Sequence, residues 1–346
     1  MDTEVSSTVV VVMLSTCGLS LAALFYLFQK HISGQSLLAY QSRRRVPWGA
    51  RVALFAMSMP LLTVLVFFSH LISGEQPTTN DYSGNELLQM GWLDTAFKLL
   101  FVVSLMAGLV AYFRADAHDL GLPTSWKQLA SDIGLGVLAT LAAFLPIYAV
   151  QLTLVNLLEA DTPHPLVEQL QEHPSTEMLV LGFVMAVIAA PLFEEFIFRG
   201  LLQGWLERRE DEVLDFAETS RFPQVEVLDS TGELVTVAHN LTEAFDLPRD
   251  QADEMEEVVT NPRRPAQGWL SGLPHGWTPI LLSGVVFGLA HLGHGVSPVP
   301  LVLFGIVLGY LYQRTHRLAP SITAHMVFNS YSMLLLWLQL APPPTG

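Results

Sequence analysis

The sequence predicts an all-α, polytopic membrane protein of about eight transmembrane helices, with a small soluble α+β insert. Three observations predict it. The 346 residues are 51% hydrophobic and only 14% charged, with a mean hydropathy of +0.42, whereas soluble domains carry roughly 25% charged residues. Apolar windows recur along the whole chain between polar joints. Basic residues alternate from joint to joint, as the positive-inside rule requires.

Measured against the ~20 apolar residues that span a bilayer, the windows are Thr8–Phe28, Arg51–Ile72, Trp92–Phe113, Ile133–Leu157, Met178–Leu202, Pro279–Leu292, Val299–Tyr312 and Pro320–Leu338. The sixth and seventh are short and joined by the turn-like GHGVSP. They read either as two spans or as one re-entrant pair. Lys30, Arg43, Arg44, Arg45 and Arg51 follow the first span, or open the second. Arg114 and Lys127 follow the third, Arg208 and Arg209 the fifth, Arg314 and Arg317 the seventh. The loops between, GEQPTTNDYSGNE and EADTPHPLVEQLQEHPSTE, contain no Lys or Arg. Both termini are therefore expected outside. Lys98, near the outer end of the third span, is placed to pair with Asp94 at i,i+4.

The single cysteine, Cys17, excludes an intramolecular disulfide and a Cys-based zinc site. LSTC resembles a lipoprotein cleavage box only faintly, because the preceding MDTEVSS is acidic where a secretion signal is basic. The first window is expected to be a retained helix. The chain divides into helices one to four (1–177), a membrane core (178–206 and 278–338), an acidic insert (207–277) and a disordered Pro-rich tail (339–346).

The insert carries sixteen acids against six arginines, −10 of the chain's −15. QVEVL-DSTG-ELVTVA alternates with period two about a turn and reads as a β-hairpin. LTEAFDLPRDQADEMEEVV reads as broken helical structure. Its position after an outside-to-inside span makes it cytoplasmic, so the sequon at Asn240 is a chance match. The acidity leaves no expectation of a nucleic-acid partner.

Three polar clusters interrupt the later spans: Glu194, Glu195 and Arg199; His291; and His325 with Asn329. A charged residue at the bilayer centre costs about 2.5–3.5 kcal/mol on insertion scales, so ionisable groups at that depth are functional candidates. Glu195 and Arg199 lie i,i+4, with the acid N-terminal, and can neutralise each other. Glu194 points about 100° away, opposite Phe198, without a cation. That suits a group that takes a proton from water and returns it to a leaving amine. Gly284, Gly288 and Ala290 thin the helix before His291, so that another helix can approach. His325 and Asn329 share one face and offer an imidazole and a carboxamide to a developing oxyanion. At 1.5 Å per residue Glu194 lies roughly 20 Å from the basic inner end of its span. Alone, a membrane histidine or an i,i+4 Glu–Arg pair is usually structural. EExxxR, FxxxH and HxxxN in order on three spans are improbable by chance.

With those motifs the chain resembles the CPBP intramembrane proteases, which include the type II CAAX-prenyl endopeptidases and bacteriocin-processing or immunity-type members. The resemblance runs from Met178 to Leu338 without the insert. It rests on Glu194-Glu195-Phe-Ile-Phe-Arg199, Phe287-Gly-Leu-Ala-His291 and His325-Met-Val-Phe-Asn329. It implies helices enclosing an intramembrane catalytic cavity and an endopeptidase activity. Glu194 and His291 would activate water, His325 and Asn329 would hold the oxyanion, and Glu195 with Arg199 would brace the site. Phe287 is a candidate substrate contact. Glu194, His291 and His325 would also be the ligands if a divalent metal such as zinc took part. No HExxH helix specifies one, and no cofactor is required by the residues alone.

The expected partners are membrane lipid and a peptide or protein substrate, lipidated or not. A bacterial inner membrane is the expected location, with the endoplasmic reticulum the alternative. Two other functions use the same inventory: a non-catalytic membrane scaffold or immunity protein, and a proton-coupled transporter. The transporter predicts inverted repeats, and the sequence has no such symmetry.

Overall fold

A computed structural model describes residues 7–39, 41, 45–73, 83–158, 170, 172, 175–221, 225–228, 234–237, 268–270, 272–293 and 296–340. The helices are α1 (Ser7–Ile32), α2 (Ala50–Ala56), α3 (Ser58–Ser73), α4 (Gly84–Phe113) and α5 (Trp126–Leu158). A long stretch follows as α6 (Thr176–Phe183), a π-helical segment Val184–Ala189, α7 (Ala190–Glu195), a second π segment Phe196–Gln203, and α8 (Gly204–Arg221). After strands β1 (Val225–Leu228) and β2 (Leu234–Val237) come α9 (Trp277–Leu289), α10 (Pro298–Thr315) and α11 (Leu318–Leu340). The chain is an all-α integral membrane protein.

Each of the eight apolar windows falls on helix. Among the described residues four stretches are long and apolar enough to cross a bilayer: Ser7–Ile32, Gly84–Phe113, Trp126–Leu158 and Thr176–Leu214. The bent pair Ala50–Ala56 and Ser58–Ser69 makes a fifth. The last three windows fall short by that measure. α9 has 13 residues, and α11 carries the polar motif residues that lower its hydropathy. Sequence windows six and seven are two separate helices.

Two prolines shape the spans. The second window is not one straight helix but bends 49° at Met57. Pro60 has no N–H for the carbonyl of Ala56, and Ser58 Oγ turns back to donate to Phe55 O at 2.6 Å. The break lets α2 lay its buried Ala53 and Ala56 against the second π segment. In α5 the turn is opened by Pro146. Pro146 has no N–H for the carbonyl of Ala142, and beside it Leu145 N–H donates to the buried Ser20 Oγ of α1, at 3.1 Å. A backbone donor at membrane depth must find such a partner.

α11, which carries His325 and Asn329, packs most extensively on α5. The α5 residues that meet it recur every fourth position. Asp132 takes the Arg317 guanidinium in a fork, with Nη2 to Oδ1 and Nε to Oδ2 at 2.7 and 2.8 Å. A Cβ on Gly136 would come within 2.6 Å of Pro320 O, so only glycine permits this approach. Thr140 Oγ1 donates to Ala324 O at 2.9 Å. Phe144 stacks on Phe328 at 5.6 Å, and the Tyr148 hydroxyl meets Ser332 Oγ at 3.1 Å. The close approach expected at Gly284 is to α10, where a Cβ on Gly305 would lie 2.9 Å from Gly284 Cα.

The chain divides into two compact units, 1–205 with 280–346, and 206–279. Within the second, β1 and β2 pair antiparallel with Val225 opposite Val237 and Leu228 opposite Leu234, on the stretch read as a hairpin. The wholly buried Glu210 accepts N–H groups from Gly276 at 2.7 Å and Trp269 at 3.3 Å. His275 Nε2 lies 3.0 Å from Asp211 Oδ1. These contacts hold the two ends of the insert together. The helical reading of 241–259 and the sequon at Asn240 lie outside the described residues. So does most of the tail, although Gln339 and Leu340, expected to be disordered, continue α11.

Asp132 is almost fully buried, and removing one member of a buried pair strands the other. Asp132→Ala should lower stability by about 3–5 kcal/mol in detergent thermal unfolding. Adding Arg317→Ala should recover part of that loss; equal melting of wild type and Asp132→Ala would contradict the fork's structural weight.

Candidate active site

The site is assembled from three helical elements of the first unit: the α7 and π segment around Glu194–Gln203, the end of α9, and α11. Single-turn π segments recur at functional sites because they re-aim side chains within a continuous helix. Here all eight residues Phe196–Gln203 are buried. In the widened turn, residues four apart lie nearly one above the other. Arg199 Nη1 reaches Glu195 Oε1 at 3.1 Å, and both side chains are wholly enclosed. The second arm of the guanidinium, Nη2, donates to Gly305 O of α10 at 3.1 Å. One turn on, Gln203 Nε2 donates to Gly309 O at 2.8 Å. Ser283 of α9 donates to Phe198 O at 3.1 Å. The π segment is thus tied to α9 and α10 by polar bonds in the buried interior.

Glu195 has a second partner. Its Oε1 lies 3.0 Å from His325 Nδ1, so one carboxylate oxygen serves both Arg199 and His325. That contact fixes the ring of His325 and directs its Nε2 toward Glu194 Oε2, 3.9 Å away. His291 approaches the same oxygen from the other side, Nε2 at 3.8 Å. Its Nδ1 lies 2.7 Å from Phe287 O. A carbonyl only accepts, so Nδ1 carries the hydrogen and the Nε2 of the neutral ring keeps its lone pair. Glu194 Oε2 is itself buried with no hydrogen-bond partner. A separation beyond 3.5 Å between polar atoms is the span a bridging water fills.

Accessibility divides the groups. The side chains of Glu194 and His291 retain 20% and 19% exposure, against 5% for His325 and none for Glu195 or Arg199. Glu194 and His291 therefore form the reachable edge, and the other three form the foundation. Asn329 Nδ2 donates to Ala186 O in the first π segment at 2.7 Å. The amide has a second hydrogen that this bond leaves over.

Phe287, expected as a substrate contact, is fully buried. The Arg199 guanidinium lies over its face at 4.4 Å, and Phe198 meets it edge-on at 5.3 Å. The rings of His291 and His325 stand 4.9 and 5.6 Å away. Its surface is already taken by the side chains it orders, and it has none left for a substrate. Sequence reading missed Gln203, Phe304 and the carbonyl acceptors Gly305 and Gly309. Gln203 stands four residues after Arg199, so the same spacing rule points to it. Phe304, edge-on to His325 at 5.6 Å, has no signal beyond apolarity.

The donor set of Glu194, His291 and His325 has the chemistry of a divalent-metal site. Each imidazole presents Nε2, with Nδ1 engaged by a carbonyl or a carboxylate, the usual outer support of a ligating histidine. Among the described residues, the group whose ligand atoms all lie within 4.8 Å of one another is another one: Asp116, His118 and Asp119. It sits on a largely exposed turn. There Asp116 N–H donates to Asp119 Oδ2 and Asp119 N–H to Asp116 Oδ1, at 3.1 and 2.9 Å, which gives those carboxylates a local capping role.

The family model described as type II CAAX prenyl endopeptidase Rce1-like matches residues 176–220 and 255–331. The match supports the CPBP resemblance carried by the three motifs and includes every one of their residues. No curated protein and no solved structure matches the chain at a significant level.

Arg199→Met would leave Glu195 buried with only an imidazole for company. The expected loss is about 3–5 kcal/mol in detergent melts. Arg199→Met with Glu195→Gln should regain part of it, since the stranded charge is gone. A melt unchanged by Arg199→Met would show that the pair does not hold the site.

Proposed function

We propose that this chain, whose motifs and partial family match resemble those of the CPBP membrane proteases, is an intramembrane endopeptidase that hydrolyses peptide bonds with a glutamate-activated water. The observation that carries the proposal is the enclosed, unpartnered Glu194 Oε2 facing two imidazole Nε2 atoms at 3.8 and 3.9 Å. A buried acceptor without a partner costs about 1–3 kcal/mol. Two helices that both aim nitrogen at such an atom give it a purpose: a water held among the three.

The step runs as follows. Glu194 takes one proton of the water, and His291 Nε2 accepts a hydrogen bond from the other. The oxygen forms a bond to the peptide carbonyl carbon, whose electron pair moves to the carbonyl oxygen. The spare N–H of Asn329, and Nε2–H of His325 when that ring carries two protons, donate to this oxyanion. Glu195 stabilises the charged ring as Arg199 balances Glu195. On collapse the C–N bond breaks and the proton on Glu194 passes to the departing amine. Glu194, His291 and His325 are the residues that would hold a divalent metal, which when bound would lower the pKa of water and polarise the carbonyl.

The substrate read from the family is a peptide near a lipidated end, in the manner of CAAX processing. The loop charges support an orientation with both termini outside, in a bacterial inner membrane, and a site entered from the cytoplasmic half.

Purified protein and a panel of prenylated and unmodified peptides provide the test. Glu194→Gln and His291→Ala should lower kcat about 10²–10⁴-fold at unchanged thermal stability. Asn329→Ala should lower it about 10²–10³-fold and lower the melting temperature as well, because Ala186 O loses its donor. Cleavage undiminished in Glu194→Gln would overturn the mechanism.

A further inference from the structure

The contact between Asn329 and Ala186 has its origin in a residue that touches neither a substrate nor the reacting atoms. In the first π segment Ala190 N–H donates to Met185 O, a five-residue step. The next donor in that register, the one for Ala186 O, belongs to residue 191. Residue 191 is proline, which has no N–H. The carbonyl of Ala186 is therefore left open by the backbone, in an element at membrane depth where open carbonyls are not tolerated. Asn329 Nδ2 fills it from α11 at 2.7 Å. Because a carbonyl can only accept, this bond also settles which end of the carboxamide faces it.

We infer that Pro191 is a positioning residue for Asn329. By withholding one backbone hydrogen, it makes Ala186 O the anchor for the carboxamide, and so fixes the direction of the remaining N–H. Pro191 is buried and lies three residues before Glu194, so the same turn that carries the base also orients the oxyanion donor. The inference rests on the endopeptidase reading for its effect on rate, while the anchoring itself is a matter of hydrogen bonding.

The test is Pro191→Ala, which supplies the missing N–H. Ala186 O can then be closed within its own helix, and Asn329 loses its exclusive anchor. The variant should unfold at the same temperature as wild type or higher. Its kcat should fall about 10- to 100-fold with little change in KM, as misplacement of one donor does. In an Asn329→Ala background the same substitution should have no further effect on kcat. A merely structural proline would instead lower stability and act equally in both backgrounds.

Side-chain ¹⁵N–¹H spectra of Asn329, assigned with Asn329→Ala, give a readout that needs no cleavage. Pro191→Ala should shift the anchored amide proton upfield and speed its exchange. If the spectrum moves but the wild type cuts nothing, the anchoring stands and the endopeptidase reading falls. An unchanged Asn329 signal, a kcat equal to wild type in a protein that cuts, or a Pro191→Ala chain that fails to fold would each overturn the inference.

Discussion

One oxygen of Glu195, shut away from solvent, is shared by Arg199 at 3.1 Å and His325 at 3.0 Å, and the rest of the site takes its geometry from that sharing. An isolated carboxylate would be strongly disfavoured there. Arg199 makes it tolerable and reaches on to Gly305 O, fastening the π segment to α10. His325, tied at Nδ1, can present only Nε2 to Glu194. The acid that looked like the partner of a single arginine is thus the hinge between two helices that are more than a hundred residues apart in sequence. Breaking the first contact leaves a buried charge unbalanced, and breaking the second frees the imidazole that faces Glu194.

Backbone irregularities supply what side chains alone do not. Two π segments in one helix, a break at Met57 and prolines at 60, 146 and 191 each leave a carbonyl or N–H outside the regular ladder. Beside two of these prolines, side chains that join helices bond the backbone: Ser20 at Leu145 N–H and Asn329 at Ala186 O. In a bilayer, where packing of apolar surfaces gives little preference for protein over lipid, such bonds and close glycine contacts set helix positions. Gly136 against Pro320 O and Gly284 against Gly305 show the second device at work.

Much of this was legible in the sequence because lipid imposes strong rules. Apolar windows marked the eight helical stretches, the incompatibility of ionisable groups with lipid singled out Glu194, Glu195, Arg199, His291 and His325, and i,i+4 spacing from His325 added Asn329. The i,i+4 rule paired Glu195 with Arg199. The same rule hid the contact of Glu195 with His325, which depends on a helix pairing that no local spacing encodes. The resemblance made Phe287 a candidate substrate contact, because an aromatic side chain in a motif gives no sign of which neighbours will cover it. The π register was illegible for a related reason: widening one turn changes no hydrophobic pattern when all eight of its side chains are buried. The place of α5 as the rail for α11 is visible afterwards in Asp132, Gly136, Thr140, Phe144 and Tyr148. Before the fold was known, that stripe was indistinguishable from the rest of an apolar span.

Among the described residues, Glu194 is a buried-edge carboxylate with no structural partner for Oε2, and a cell that makes the protein is where the proposed reaction would leave its trace. Comparative peptidomics of cells carrying wild-type or Glu194→Gln protein at equal levels measures it most directly. Peptide ends found only with the wild type, at membrane-anchored or lipidated proteins, are the predicted result. Identical sets of peptide ends in the two cell lines would contradict a hydrolytic role for this site.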